Sequence, residues 1–242
     1  MTTFVSALRS SLGRKYLMGF TGLVWTGFAV GHVIGNFLLF AGRDPFNRYA
    51  QFLETLGHGM AIYVAEAFLA VVLMIHVFNG ISIVTDKNSA RPQGYSSHGN
   101  AGGRSRKGLA SQNMIWTGLT ILGFLILHIV TFKFAHLLGP VPQVTLDGVQ
   151  RTDLYGVVVS RFSVPWYVGV YTVVMCMLGM HLKHGVWSAF QSLGLLNKKT
   201  LPLAVTGATL LAIVLAVGFL ALPTTIYLFN PMFAEGAGGI HW

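Results

Sequence analysis

The chain has 242 residues, of which 53% are hydrophobic and only 10% charged, with a mean hydropathy of +0.63. Soluble domains carry roughly 25% charged residues, so these side chains cannot cover an aqueous surface and a water-soluble globule is excluded. The net charge of +9 does not point to nucleic acid, because the basic residues lie between apolar runs rather than along one face.

Apolar runs longer than about 18 residues read as membrane spans. Five are expected, at 16–40, 60–84, 113–134, 164–191 and 201–222, giving an all-α integral membrane bundle of one domain over 1–242. The first run is too long for a cleavable signal peptide and lacks a small-residue cleavage site, so it reads as a span. Residues 88–111, rich in Gly, Ser and Arg, read as a mobile loop. Residues 139–163, with Pro140, Pro142 and Asp147-Gly148, read as an ordered loop containing a turn.

With the N-terminus inside, the cytoplasmic segments hold Arg9, Arg14, Lys15, Lys87, Arg91, Arg104, Arg106, Lys107, Lys183, Lys198 and Lys199. The outer segments hold only Arg43, Arg48, Lys133, Arg151 and Arg161. This bias predicts a cytoplasmic N-terminus and an outer C-terminus in a multi-pass membrane protein; the membrane expected is the cytoplasmic one of a prokaryote. The single cysteine, Cys176, lies in an apolar run and no C-x-x-C-H is present, which excludes c-type haem attachment and cysteine-held iron–sulfur clusters. No phosphate-cradling glycine loop occurs either.

Histidines carry the strongest chemical signal. His32, His76, His128, His181 and His184 fall within or at the edge of spans, where polar side chains are costly and functional by default. At about 1.5 Å per residue, His32 lies roughly 24 Å from the inner start of its helix, His128 about 22 Å into the third, and His76 about 12 Å from the inner end of the second. His181 sits near the inner end of the fourth. Two layers result, His32 with His128 outside and His76 with His181 inside. Each supplies the two imidazoles of a bis-histidine b haem. His76-Val77-Phe78-Asn79-Gly80 and His181-Leu182-Lys183-His184-Gly185 share H-x-x-[N/H]-G, with a glycine one turn beyond the histidine that would make room for a porphyrin. The register favours His181 over His184, which matches Asn79. The plain alternative is that the histidines hydrogen-bond between helices; a protein-only metal site lacks carboxylates or thiols in the layers. His58, His98, His136 and His241 read as solvated.

At these residues the chain resembles the five-helix, two-haem cytochrome b anchors of succinate:quinone oxidoreductases and fumarate reductases. The resemblance rests on Ser10-Ser11-Leu12-Gly13-Arg14-Lys15, Met18-Gly19-Phe20-Thr21-Gly22-Leu23, Gly31-His32 through Phe40, Phe46-Asn47-Arg48-Tyr49-Ala50, and His181 with Gly185-Val186-Trp187-Ser188, and runs along nearly the whole chain. It implies the same pairing, His76 with His181 on the inner haem and His32 with His128 on the outer. It also implies a flavoprotein subunit with covalent FAD and an iron–sulfur subunit on the cytoplasmic face, with a quinone, menaquinone by the layout, as electron partner. Alone, such a chain would not act on succinate. Some fumarate reductases of this kind carry a glutamate two residues before the fourth-helix ligand; Gly179 stands there, which puts that proton path in doubt.

Glu66, the one acidic residue within a span, is the candidate for proton handling at a quinone site beside the outer haem, with Asn36 as a hydrogen-bonding candidate. Arg43 and Arg48 are candidates for the outer propionates, and Ser11, Gln112, Lys183 and Trp187 for the inner ones. Two other functions remain open, a cytochrome b of another quinone-linked dehydrogenase and a haem-free transporter or scaffold.

Overall fold

The computed structural model describes residues 4–90, 110 and 113–236. Five helices are long and apolar enough to cross a membrane. These are α2 (Ser11–Asn36), α4 (Met60–Ser89), α5 (Met114–Phe132), α7 (Pro165–Ser192) and α8 (Thr200–Leu228). Shorter helices are α1 (Phe4–Arg9), α3 (Arg43–Thr55), α6 (Leu154–Phe162) and α9 (Asn230–Gly236). The strands β1 (Gln143–Leu146) and β2 (Val149–Thr152) form an antiparallel hairpin. The described residues are thus those of a helical, multi-pass protein, with one small β element among them. The loop expected at 88–111 lies largely outside the described residues, as do His98 and His241.

Local chemistry sets the helix ends. Ser10 caps α2 by accepting from the Gly13 N–H at 3.0 Å, which satisfies one of the orphan donors of the first turn. At its other end α2 tightens into a 3₁₀ turn over Phe37–Ala41 and stops at Gly42, whose φ of 107° excludes a side chain at low cost. Pro165 opens α7, where its missing N–H costs nothing.

The spans α2, α4, α5 and α7 form a ring, and α8 packs along α7 and against α2. A Cβ at Gly19 of α2 would lie 3.1 Å from the Ala189 carbonyl oxygen on α7, so two small residues let these backbones approach closely. The outward faces keep large apolar side chains open: Phe78 is 71% exposed, Trp116 69% and Leu203 73%. Water would not tolerate so continuous an apolar surface; lipid does.

The end where α2 starts is called the near end, and the other the far end. At the near end Arg14 joins α2 to α4, pairing with Asp86 at 2.5 Å and donating to Ser82. At the far end α3, the hairpin and α6 build a cap around the fully buried Asp153. Its carboxylate accepts from Arg43 Nε at 2.9 Å, Asn47 Nδ2 at 2.6 Å and the Gly156 N–H at 3.0 Å. Asn47 in turn accepts from the Tyr155 N–H at 3.1 Å. One carboxylate therefore caps α6 and anchors α3 to it.

Candidate functional site

Each of four ring helices turns one histidine inward, and the rings meet in two pairs. His32 of α2 and His128 of α5 lie with centroids 5.7 Å apart. His76 of α4 and His181 of α7 lie 6.4 Å apart. Two metal–imidazole bonds of about 2 Å each, plus the reach from ring nitrogen to ring centre, put bis-imidazole centroids roughly 6 Å apart. Both separations fit a metal between the rings. Among the described residues no group of three or more His, Cys, Asp or Glu is placed to hold a metal ion. Two imidazoles do not complete a coordination shell, so the donor set suits a group that brings its own equatorial ligands, as haem does.

Hydrogen bonding sharpens the fit at the near pair. His76 Nδ1 lies 3.0 Å from Thr21 Oγ1, and His181 Nδ1 lies 3.1 Å from Thr117 Oγ1. Each threonine has already given its proton to its own helix, Thr21 to the Leu17 carbonyl at 2.6 Å and Thr117 to the Asn113 carbonyl at 3.0 Å. Only lone pairs remain for the imidazoles, so in both pairs Nδ1–H is the donor. That fixes the tautomer with Nε2 bare, the form in which histidine ligates a metal. Glycines give these rings their room. A Cβ at Gly22 would lie 3.2 Å from His76 Cε1, and one at Gly118 3.3 Å from His181 Cε1.

At the far pair His128 Nδ1 lies 2.8 Å from the Tyr171 hydroxyl, and His32 stacks on Phe28 at 5.3 Å. Thr21 and His32 are eleven residues apart on α2, as are Thr117 and His128 on α5; at 1.5 Å per residue the two layers stand roughly 16 Å apart along the helices.

His184 does not join either pair. Its ring packs edge-on against Trp187 at 5.2 Å, and Asn79, its counterpart in register, donates back to the Ile75 carbonyl at 2.8 Å. The glycines one turn beyond the near histidines face methionines. A Cβ at Gly80 would come within 2.9 Å of Met18 Cε, and one at Gly185 within 3.9 Å of Met114 Cε.

The remaining candidates are dispersed. Arg43 is held by Asp153, and Arg48 lies 3.2 Å from Asp147, so both guanidiniums already serve the cap. Glu66 forms an ion pair with Lys133, linking α4 to the end of α5 with both side chains about 40% exposed. Asn36 ends α2 and makes no side-chain cap. Ser11 and Lys183 are exposed at the near end, and Gln112 lies outside the described residues.

Thr21, Thr117 and Tyr171 are the residues that sequence reasoning missed. A signal for the threonines existed. Met18-x-x-Thr21-Gly22 is followed by His32 ten residues after the glycine, and Met114-x-x-Thr117-Gly118 by His128 at the same interval. The hairpins α2–α4 and α5–α7 repeat one design. Comparison with models of known families, with curated proteins and with solved structures finds no match.

Proposed function

We propose that the chain is the cytochrome b membrane anchor of a succinate:quinone oxidoreductase or fumarate reductase, holding two b haems, one between each histidine pair. The observation that carries the reading is the paired rings at ligation distance, with the near-layer Nδ1 atoms committed as donors to threonine. Interhelical hydrogen bonding alone accounts for one nitrogen of each near imidazole and leaves the other without a task.

Haem, when bound, supplies one-electron transfer. The protein's own residues do the rest. His32, His76, His128 and His181 would hold the haems through their ring nitrogens; Thr21 and Thr117 would keep two of these rings in the ligating tautomer; Phe28, Phe124 and Phe132 ring the far pair and would exclude water. In this reading the near end faces the cytoplasm and receives the iron–sulfur and flavoprotein subunits, which carry the clusters and the FAD. The chain anchors them and passes electrons to a quinone, menaquinone by resemblance, but does not act on succinate by itself.

The test is haem stoichiometry in the intact complex, read by pyridine-haemochrome and reduced-minus-oxidised spectra. Two b haems per chain are expected. His32→Ala or His128→Ala should remove one, His76→Ala or His181→Ala the other, and His184→Asn neither. If His76→Ala and His128→Ala abolish the same haem, the pairing is wrong; if the wild-type complex holds none, so is the function.

A further inference from the structure

The two layers differ in what stands behind their ligands. In the near layer both partners are threonine hydroxyls that donate onward to a backbone carbonyl. That onward bond polarises the oxygen and makes it a better acceptor. In the far layer the partner of His128 is a phenol, 2.8 Å away. Tyr171 is buried, 5% exposed, and its ring is gripped edge-on by Phe124 and Phe162, each at 4.8 Å, so it cannot swing away. It stands ten residues before His181 on α7, roughly 15 Å along the helix, which is the separation of the layers.

We infer that Tyr171 is the positioning residue of the far site: its phenol oxygen accepts from the His128 Nδ1–H, keeps Nε2 bare toward His32, and gives the far haem a reduction potential of its own. The inference rests on the haem reading above. A hydrogen-bonded Nδ1–H makes an imidazole a stronger electron donor and favours the oxidised metal. A phenol is a weaker acceptor than a polarised alcohol, so His128 donates less than His76 or His181.

The experiment is a potentiometric titration of both haems in the intact complex, with the far haem assigned by its loss in His32→Ala. Tyr171→Phe keeps the ring in its aromatic cage and removes the acceptor. The far potential should rise while the near one stays put, with the oxidised far haem held roughly tenfold less tightly. Site-specific 3-fluorotyrosine at 171, a weaker acceptor of almost unchanged shape, should shift the far potential the same way and covers the case in which the phenylalanine variant fails to assemble. Unchanged far potential in either assembled protein, or a shift confined to the near haem, overturns the role of Tyr171. Absence of b haem from the wild type overturns the function instead, so the two failures are distinguishable.

Discussion

Thr21 and Thr117 each do something no single side chain in a span advertises. A threonine in a membrane helix ordinarily bonds back to the carbonyl four residues earlier, and Thr26, Thr172 and Thr209 do so here with no histidine nearby in those bonds. Thr21 and Thr117 make the same bond and use the remaining lone pairs as well. This explains why the histidines were legible and the threonines were not. An imidazole at membrane depth is costly wherever it stands, whereas a threonine there is ordinary until its neighbour on another helix is known. Thr21→Val keeps the shape but removes the hydroxyl that accepts from the His76 Nδ1–H, leaving it only the Met18 carbonyl, at a cost of about 0.5–1.5 kcal/mol. It should weaken near-haem retention about 10–100-fold and leave the far haem bound. Thr21→Ser should restore it. Retention of both haems at wild-type affinity in Thr21→Val, measured by haem loss to apomyoglobin, would remove the role.

Among elements, the spans were the easy part, because hydropathy alone marks them. The expected run at 60–84 corresponds to Met60–Ser89, where the helix outlasts its apolar stretch. The far cap was harder. Asp147 and Gly148 both have positive φ, 52° and 78°, which is the two-residue turn chemistry that a right-twisted hairpin prefers, so the turn was readable and the strands beside it less so. Helices α3 and α6 escaped notice because their order depends on contacts between them, above all Asp153 with Arg43 and Asn47, more than a hundred residues apart in sequence. Removing one partner of a buried ionic network costs about 3–5 kcal/mol. Asp153→Ala should therefore lower the thermal midpoint of the detergent-solubilised protein and expose the far cap to protease, while Asp153→Asn, which keeps a capping oxygen, should lose less. A melting curve matching wild type would show that the network is dispensable.

Across the whole molecule, the proposed haem reading gives two histidine layers roughly 16 Å apart a purpose if electrons entering at one end leave at the other. On that reading quinone chemistry belongs toward the far end, where Glu66 of α4 pairs with Lys133 at the end of α5. A half-exposed pair of this kind contributes about 0–1 kcal/mol, so Glu66→Gln should fold normally and separate chemistry from stability. Quinone-linked turnover should slow several-fold, with both haems retained and succinate oxidation by an artificial soluble acceptor unchanged. Undiminished quinone turnover would exclude Glu66 from proton handling.

The crosswise pairing also dictates an order of manufacture. Neither pair comes from one hairpin: His32 waits for His128 and His76 for His181. A chain emerging from the ribosome with α2 and α4 inserted carries one half of each site and can grip no haem from both sides. Arrival of α5 brings the two far histidines together, but the near pair stays incomplete until α7 is threaded, and the same helix delivers Tyr171 to the far pair. If the pairs hold haems as proposed, loading would follow the order of synthesis, and His181, the last ligand to arrive, would mark that four spans have found their places.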